Sequence, residues 1–272
     1  MLDHIDVAGL RIAYERAGNG PPLVVLHGYV GDSLGTWRHQ IDGLSDEFTV
    51  VAWDAPGAGW SSDPPESFGL ADYADCLAGF VGALGLGRVH VVGLSFGGGL
   101  ALELYRRHPT VPVTLVLASA YAGWAGSLPP KVVEQRLRQA LELADLAPAE
   151  LVRAVGPTLF SESARAEVVD EFVATMVEFH PAGLRAMARS FAEADLRDVL
   201  PRVDVPTLLL YGDKDPRAQM DVAEALHAAI TTSRLVVLPG VGHASCVEAP
   251  ERFNREIREF LHETEVTEPS RQ

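Results

Sequence analysis

Apolar and polar positions alternate loosely over residues 4–16, with Ile5, Val7, Leu10, Ile12 and Tyr14 on the apolar beat and Gly9 in the middle. A period of two marks a half-buried strand, so this stretch predicts a hairpin at a sheet edge. After the turn Gly18-Asn19-Gly20-Pro21-Pro22, the pattern changes to short, mostly apolar runs, of which Leu23-Val24-Val25-Leu26 is wholly so. These lie at 23–26, 48–53, 88–94, 113–119, 207–211 and 234–238. Such runs read as strands buried on both faces. Between them the apolar residues fall at helical spacing. That predicts helices around 37–44, 70–84, 97–108, 221–230 and 250–262, with a polar, frayed tail from Glu263.

Strands that alternate with helices imply an α/β protein with a doubly wound, mostly parallel sheet. One stretch breaks the rhythm. From 122 to 200 no strand-like run occurs, and helical segments are predicted near 132–144, 148–155, 164–179 and 182–194. The expected organisation is therefore a core of 1–121 and 201–272 with an all-helical insertion, 122–200. Its natural place is over the carboxyl ends of the strands, where ligands bind in open α/β sheets.

Composition narrows the function classes. The net charge of −15 argues against nucleic acid and against anionic membrane surfaces as partners. No apolar run reaches membrane-spanning length. The N-terminus lacks a basic segment followed by an apolar one, so no secretion signal is expected. Cys76 and Cys246 are the only cysteines. Far apart in sequence, they give no disulfide framework, and a cytoplasmic location is the expectation. No histidine clusters with a cysteine or a second histidine at zinc-ligand spacing, so no metal and no cofactor are expected.

The strongest chemical signal is Val89-His90-Val91-Val92-Gly93-Leu94-Ser95-Phe96-Gly97-Gly98-Gly99. An apolar run ends in Gly-x-Ser-x-Gly and passes directly into the helical Leu100-Ala101-Leu102-Glu103-Leu104-Tyr105. Strand, sharp turn and helix are the context of a nucleophile elbow. The glycines have a steric reason, because a Cβ two residues to either side of the serine would collide across the turn. The turn lifts the Ser95 hydroxyl clear of the sheet. The helix that begins there turns its free N–H groups and positive dipole end towards the same spot.

With these motifs the chain resembles the α/β-hydrolase family with a helical cap, over residues 5–262. The motifs come in the family's order: His27-Gly28, Asp54-x-Pro56-Gly57-x-Gly59-x-Ser61, Gly93-x-Ser95-x-Gly97, the helical insertion, Gly212-x-x-Asp215, and Gly242-His243. Within the family it looks most like small bacterial esterases, enol-lactone hydrolases and cofactor-free haloperoxidase-like proteins. The resembling epoxide hydrolases and haloalkane dehalogenases carry aspartate at the elbow, so Ser95 counts against both.

The resemblance implies a catalytic triad. Ser95 would be the nucleophile. His243 would be its base, since an imidazole titrates near neutrality and can take and return one proton. His27, the other candidate base, is expected to shape the oxyanion loop. A carboxylate must hold the imidazole in the right tautomer. The family places it after one of two strands, and the earlier position is empty, with no Asp or Glu between Glu103 and Glu134. The acid is therefore expected in Tyr211-Gly212-Asp213-Lys214-Asp215-Pro216. Gly-x-x-Asp spacing favours Asp215, and Asp213 is the alternative. The family's oxyanion donors map onto the backbone N–H groups of Tyr29 and Phe96, whose side chains would wall the acyl side.

Asp54 reads as an anchor for the Pro56-Gly57 loop, and Cys246 as packing. His27, Gly28, Trp124, Phe160, Met176, Phe179 and Met187 are candidate pocket residues. Phe172, His180 and Phe191 are further candidates, while Arg185, Arg189 and Arg217 are candidates for a substrate carboxylate. The expected partner is a small-molecule ester, lactone or related acyl substrate. Oligomeric state is left open. Three other uses of such a site are compatible with the motifs. They are C–C or thioester hydrolysis on the same triad, cofactor-free lyase or cyclase chemistry, and a non-catalytic ligand receptor.

Overall fold

The computed structural model describes residues 2–175 and 180–267. The chain order is β1 (Leu2–Val7), β2 (Leu10–Ala17), β3 (Pro22–Leu26), α1 (Ser33–Leu44), β4 (Thr49–Trp53), α2 (Leu70–Ala83), β5 (Val89–Leu94), α3 (Phe96–Arg107) and β6 (Pro112–Ala118). Five helices follow: α4 (Trp124–Ser127), α5 (Pro130–Leu143), α6 (Pro148–Val155), α7 (Ala166–Thr175) and α8 (Pro181–Glu193). The chain then closes with β7 (Thr207–Gly212), α9 (Met220–Ala229), β8 (Ser233–Leu238), α10 (Ser245–Glu248) and α11 (Pro250–Thr267).

The strands form one eight-stranded sheet in the order β1-β2-β4-β3-β5-β6-β7-β8. The expected hairpin is present. Val7 pairs with Leu10 across Ala8 and Gly9, both at positive φ (49° and 85°), the geometry of the tight turn that suits strand twist. β2 runs antiparallel to both its neighbours, and every pairing from β4 to β8 is parallel. Every residue of β4, β5 and β7 is buried, as suits mostly apolar strands covered on both faces; the buried His90 of β5 bonds the Thr114 hydroxyl. β8 lies at the sheet edge and is only half-buried over most of its length.

Among the described residues the segment between β6 and β7 contains helices and no strand. Two short helices, α4 and α10, were not predicted; each has four residues, too few for a periodic signal. Of the tail expected to fray from Glu263, residues up to Thr267 continue α11, and 268–272 lie outside the described residues. Arg234 bonds Glu263 at 3.0 Å and ties that turn of the helix to the edge strand. No helix among the described residues is long and apolar enough to cross a membrane.

Candidate active site

The carboxyl ends of β3, β5, β7 and β8 deliver the site. His27-Gly28-Tyr29 follows β3, Ser95 follows β5, Asp215 follows β7 and His243 follows β8. Parallel neighbours end on one side of the sheet, so residues distant in sequence meet there.

Ser95 adopts φ 54° and ψ −109° between β5 and α3, a conformation that side chains rarely take. Its N–H donates to the Ala118 carbonyl at 2.8 Å, and its own carbonyl accepts from the Gly98 and Gly99 N–H groups. These bonds fix the turn to the neighbouring strand and to the first turn of α3. The flanking glycines permit it. A Cβ on Gly93 would stand 2.2 Å from the Gly97 carbonyl oxygen, and one on Gly97 would stand 2.2 Å from the Leu26 carbonyl oxygen. Both obstacles are backbone atoms that cannot turn aside.

His243 is buried, and its Nδ1 lies 2.8 Å from Asp215 Oδ2. Asp215 Oδ1 accepts from the N–H groups of Arg217 (2.7 Å) and Ala218 (2.9 Å). Burial opposes ionisation of this carboxyl. The His243 imidazole and the backbone N–H bonds outweigh that and hold it below the usual carboxylate range. An ionised carboxylate only accepts, so Nδ1 carries the proton and Nε2 is the ring nitrogen turned away from Asp215. Asp213 takes a different partner: Oδ1 accepts from the Gly240 N–H at 2.6 Å, which pins the turn after β8. Of the two candidate acids, Asp215 is the one that meets His243.

His27 is fixed by backbone on both sides. Nε2 accepts from the Ala55 N–H at 3.0 Å, so the proton sits on Nδ1, which donates to the Gly28 carbonyl at 2.6 Å. That neutral, buried ring shapes the loop after β3 and has no lone pair left to act as a base. Tyr29 follows. Its N–H has no protein acceptor among the described residues, and the Phe96 N–H lies in the first turn of α3, where helical donors have no helical partner. Asp54 accepts from the Ser33 and Trp60 N–H groups and so ties down the loop after β4. Burial pushes the Cys246 thiol up to about 12, so it is not a thiolate at neutral pH.

Ser95 and His243 open into a cavity of about 530 Å³. Its other walls come from Tyr29 and Arg217 on the strand side and from Tyr121, Trp124, Arg136 and Leu143 on the side of the helical insertion. Of the sequence-predicted pocket residues, Trp124 lines it, edge-on to Tyr29 at 5.8 Å. Gly28 and Phe172 line a smaller adjoining cavity that Ser95 and His243 share.

Several expectations fail. Phe160 and Met187 are buried but line neither cavity, and Phe160 packs on Phe172. His27 lies behind the wall rather than in it, held by its backbone bonds. The Phe96 ring does not wall the acyl side, because it packs between Tyr73 and Phe191. Phe191 is likewise interior, edge-on to Phe96 and Tyr121 and tilted against Trp124. Arg185 pairs with Asp145, His180 with Asp63, and Arg189 is exposed. Met176 and Phe179 lie outside the described residues.

Sequence reasoning missed Arg136. Its NH1 donates to the Tyr121 hydroxyl at 2.9 Å and its NH2 to the Arg217 carbonyl at 2.8 Å. A signal existed. Arg136, Ala140 and Leu143 stand at i, i+4 and i+7, so a charge interrupts the inward stripe of an amphipathic helix.

Glu248 braces the histidine from behind. Its Oε2 accepts from the Gly242 N–H (2.9 Å) and the Ser161 N–H (3.0 Å), while Oε1 accepts from the Ser161 hydroxyl. The Ala244 N–H donates to the Leu159 carbonyl at 2.8 Å. The loop that carries His243 is thus bonded directly to the helical insertion. Among the described residues no group of three histidine, cysteine or acidic side chains is placed to hold a metal ion.

Fold and site together define a hydrolase enzyme on a doubly wound α/β core. The profile of the alpha/beta hydrolase family matches residues 23–256, and the chain belongs to that family. Its structure is similar to a thermophilic esterase from Thermogutta terrifontis, with TM-score 0.88, 31% identity, and coverage of 97% of this chain and 99% of that one. It is also similar to the enol-lactonase from Burkholderia xenovorans LB400, with TM-score 0.85, 25% identity, and coverage of 96% and 100%. Among curated proteins, the putative carbamate hydrolase RutD of Cronobacter turicensis is 31% identical over 243 residues, 86% of this chain and 89% of its own.

Proposed function

We propose that the protein is a serine hydrolase that cleaves a carboxylic ester or lactone through an acyl-enzyme on Ser95. The observation that carries this reading is the buried Asp215–His243 pair, which leaves His243 Nε2 free in the cavity that Ser95 also lines. The esterase and enol-lactonase neighbours support the choice of ester chemistry.

Ser95 Oγ attacks the substrate carbonyl as His243 Nε2 takes its proton. Asp215 holds the imidazole with Nδ1–H inward and stabilises its cation. The tetrahedral oxygen rests on the Tyr29 and Phe96 N–H groups, each such donor typically contributing about 2.7–4 kcal/mol. His243 then protonates the leaving alcohol. It next activates a water that releases the acid from Ser95. In this reading the helical insertion, 122–200, is a cap that encloses the acyl chain.

The test is initial-rate hydrolysis of p-nitrophenyl esters from acetate to laurate by wild type and by Ser95→Ala. A burst and turnover that need Ser95 support the acyl-enzyme. Undiminished turnover in Ser95→Ala would end the serine reading, and no turnover by folded wild type on any ester would end the ester reading.

A further inference from the structure

We infer that Arg136 and Arg217 form an anion-binding subsite in the cavity, so that the substrate is an ester or lactone bearing a free carboxylate. The inference rests on the reading of Ser95 and His243 as nucleophile and base, since it concerns what the same cavity encloses.

The two arginines reach the cavity from different parts of the chain. Arg136 comes from α5 of the insertion, and Arg217 from the loop whose backbone N–H holds Asp215. They are joined, because Arg136 NH2 donates to the Arg217 carbonyl at 2.8 Å. Their remaining partners are neutral. Arg136 NH1 donates to the Tyr121 hydroxyl, and its guanidinium carbon stands 5.6 Å from the centre of that ring. Arg217 NH1 donates to the Tyr29 hydroxyl at 3.2 Å, and its guanidinium carbon stands 5.7 Å from the centre of the Tyr29 ring.

Neither guanidinium has a carboxylate within ion-pair distance among the described residues. Other half-buried arginines do: Arg185 pairs with Asp145, Arg234 with Glu263, and Arg258 with Asp46 and Glu47. In a chain of net charge −15, carboxylates are plentiful, yet none is placed against these two. The nearby Asp215 is taken up by His243 and by two backbone N–H groups. Glu142 lines the cavity as well but is exposed at its rim and makes no ion pair with either arginine.

A half-buried charge needs a counter-charge or water. A guanidinium carries five N–H donors in a planar fork. Arg136 uses two on protein acceptors and Arg217 one, which leaves donors on both for a planar carboxylate. Tyr29 connects this subsite to the reacting centre, since its hydroxyl holds Arg217 and it also lines the small cavity at Ser95 and His243. An acyl chain that starts on Ser95 and ends in a carboxylate would thus span the cavity from nucleophile to arginines.

The test compares the monomethyl esters of succinic, glutaric and adipic acid with methyl butanoate, pentanoate and hexanoate, matched by chain length. Wild type is expected to favour one or more half-esters over the neutral match by about 10- to 100-fold in kcat/KM. Arg136→Gln and Arg217→Gln should each bring that ratio close to one, with the loss carried mainly by KM. A merely structural arginine would lower both rates together and leave the ratio intact. Equal or faster cleavage of the neutral esters, dependent on Ser95, would overturn the subsite and leave the hydrolase reading standing. If neither ester is cleaved, the p-nitrophenyl ester assay decides the hydrolase reading and calorimetry decides the subsite. Half-ester should then bind Ser95→Ala about tenfold or more tighter than Ser95→Ala/Arg136→Gln, and equal binding would overturn it.

Discussion

The cavity has a floor and a roof built on different principles. The floor, at the strand ends, is held by backbone. Ser95 bonds Ala118, Asp215 is cradled by N–H groups, His27 is fixed between Ala55 and Gly28, and the elbow glycines touch main-chain atoms. The roof, in the helical insertion, meets the ligand space with side chains such as Trp124, Arg136 and Leu143. Backbone geometry tolerates almost no substitution, whereas side chains can be exchanged one at a time. Chemistry is therefore placed where change is hardest, and selectivity where it is easiest.

The sharpest way to break this comparison is to remove the floor's reacting groups. Ser95→Ala and His243→Ala should each lower kcat by at least about a thousandfold in steady-state ester hydrolysis, far beyond any single roof substitution. A comparable loss from Trp124→Ala would erase the distinction.

Two aspartates in one loop sharpen it further. Asp215→Asn should lower kcat by about a thousandfold or more, because an amide in that place no longer enforces the Nδ1–H tautomer. Asp213→Asn, which gives up the exposed ion pair with Lys214 but keeps an oxygen to accept from the Gly240 N–H, should stay within about threefold of wild type. The same kinetic assay reads both.

Stability separates the regions next. Gly97→Ala drives a Cβ to within 2.2 Å of the Leu26 carbonyl oxygen and should cost about 3 kcal/mol or more in urea unfolding. Gly99→Ala meets only the edge of the Phe191 ring from the insertion, at 2.3 Å. The obstacle is a side chain, though one packed among Phe96, Tyr121 and Trp124, so the cost should be smaller, about 1–3 kcal/mol.

The smallest effect belongs to the surface. The Arg107 guanidinium hydrogen-bonds Asp75, and with help from His108 it outweighs slight burial and holds that carboxyl at about 2. A depressed pKa contributes stability above the usual carboxylate value, and this is lost as pH falls through about 2. The pair is well exposed, so Asp75→Asn should cost under about 1 kcal/mol at pH 7 and almost nothing once pH drops below that window, measured by thermal melts. Asp215 obeys the same sign while buried, so its protonation should remove activity as well as stability.

The floor was legible in the sequence because its constraints are local. An apolar run, a glycine two residues on each side of Ser95 and a helix within one stretch leave few foldings, and the strand run 207–211 led directly to Asp213 and Asp215. The roof was not. Met187 and Arg136 sit on helices whose type was read correctly, and Phe160 lies in a bend between α6 and α7. Which side chains enter the cavity depends on how the helices pack, and residue type says little about that. Apolar residues were expected to line the space, yet Phe160 and Met187 are buried and line neither of the two cavities at Ser95. The bond between Ser161 and Glu248 joins segments with no local signal in common.

That bond bears on modularity. A hydrolase insertion looks like a part that could be exchanged between relatives to change selectivity. Here a chimaera joined at β6 and β7 would import a foreign residue opposite Glu248 and take away the Ser161 hydroxyl that this carboxylate accepts from while it holds the Gly242 N–H. The transferable unit is larger than the insertion: it takes in the turn of chain from Gly242 to Glu248, and a crossover placed inside that turn would separate a roof from the histidine it steadies.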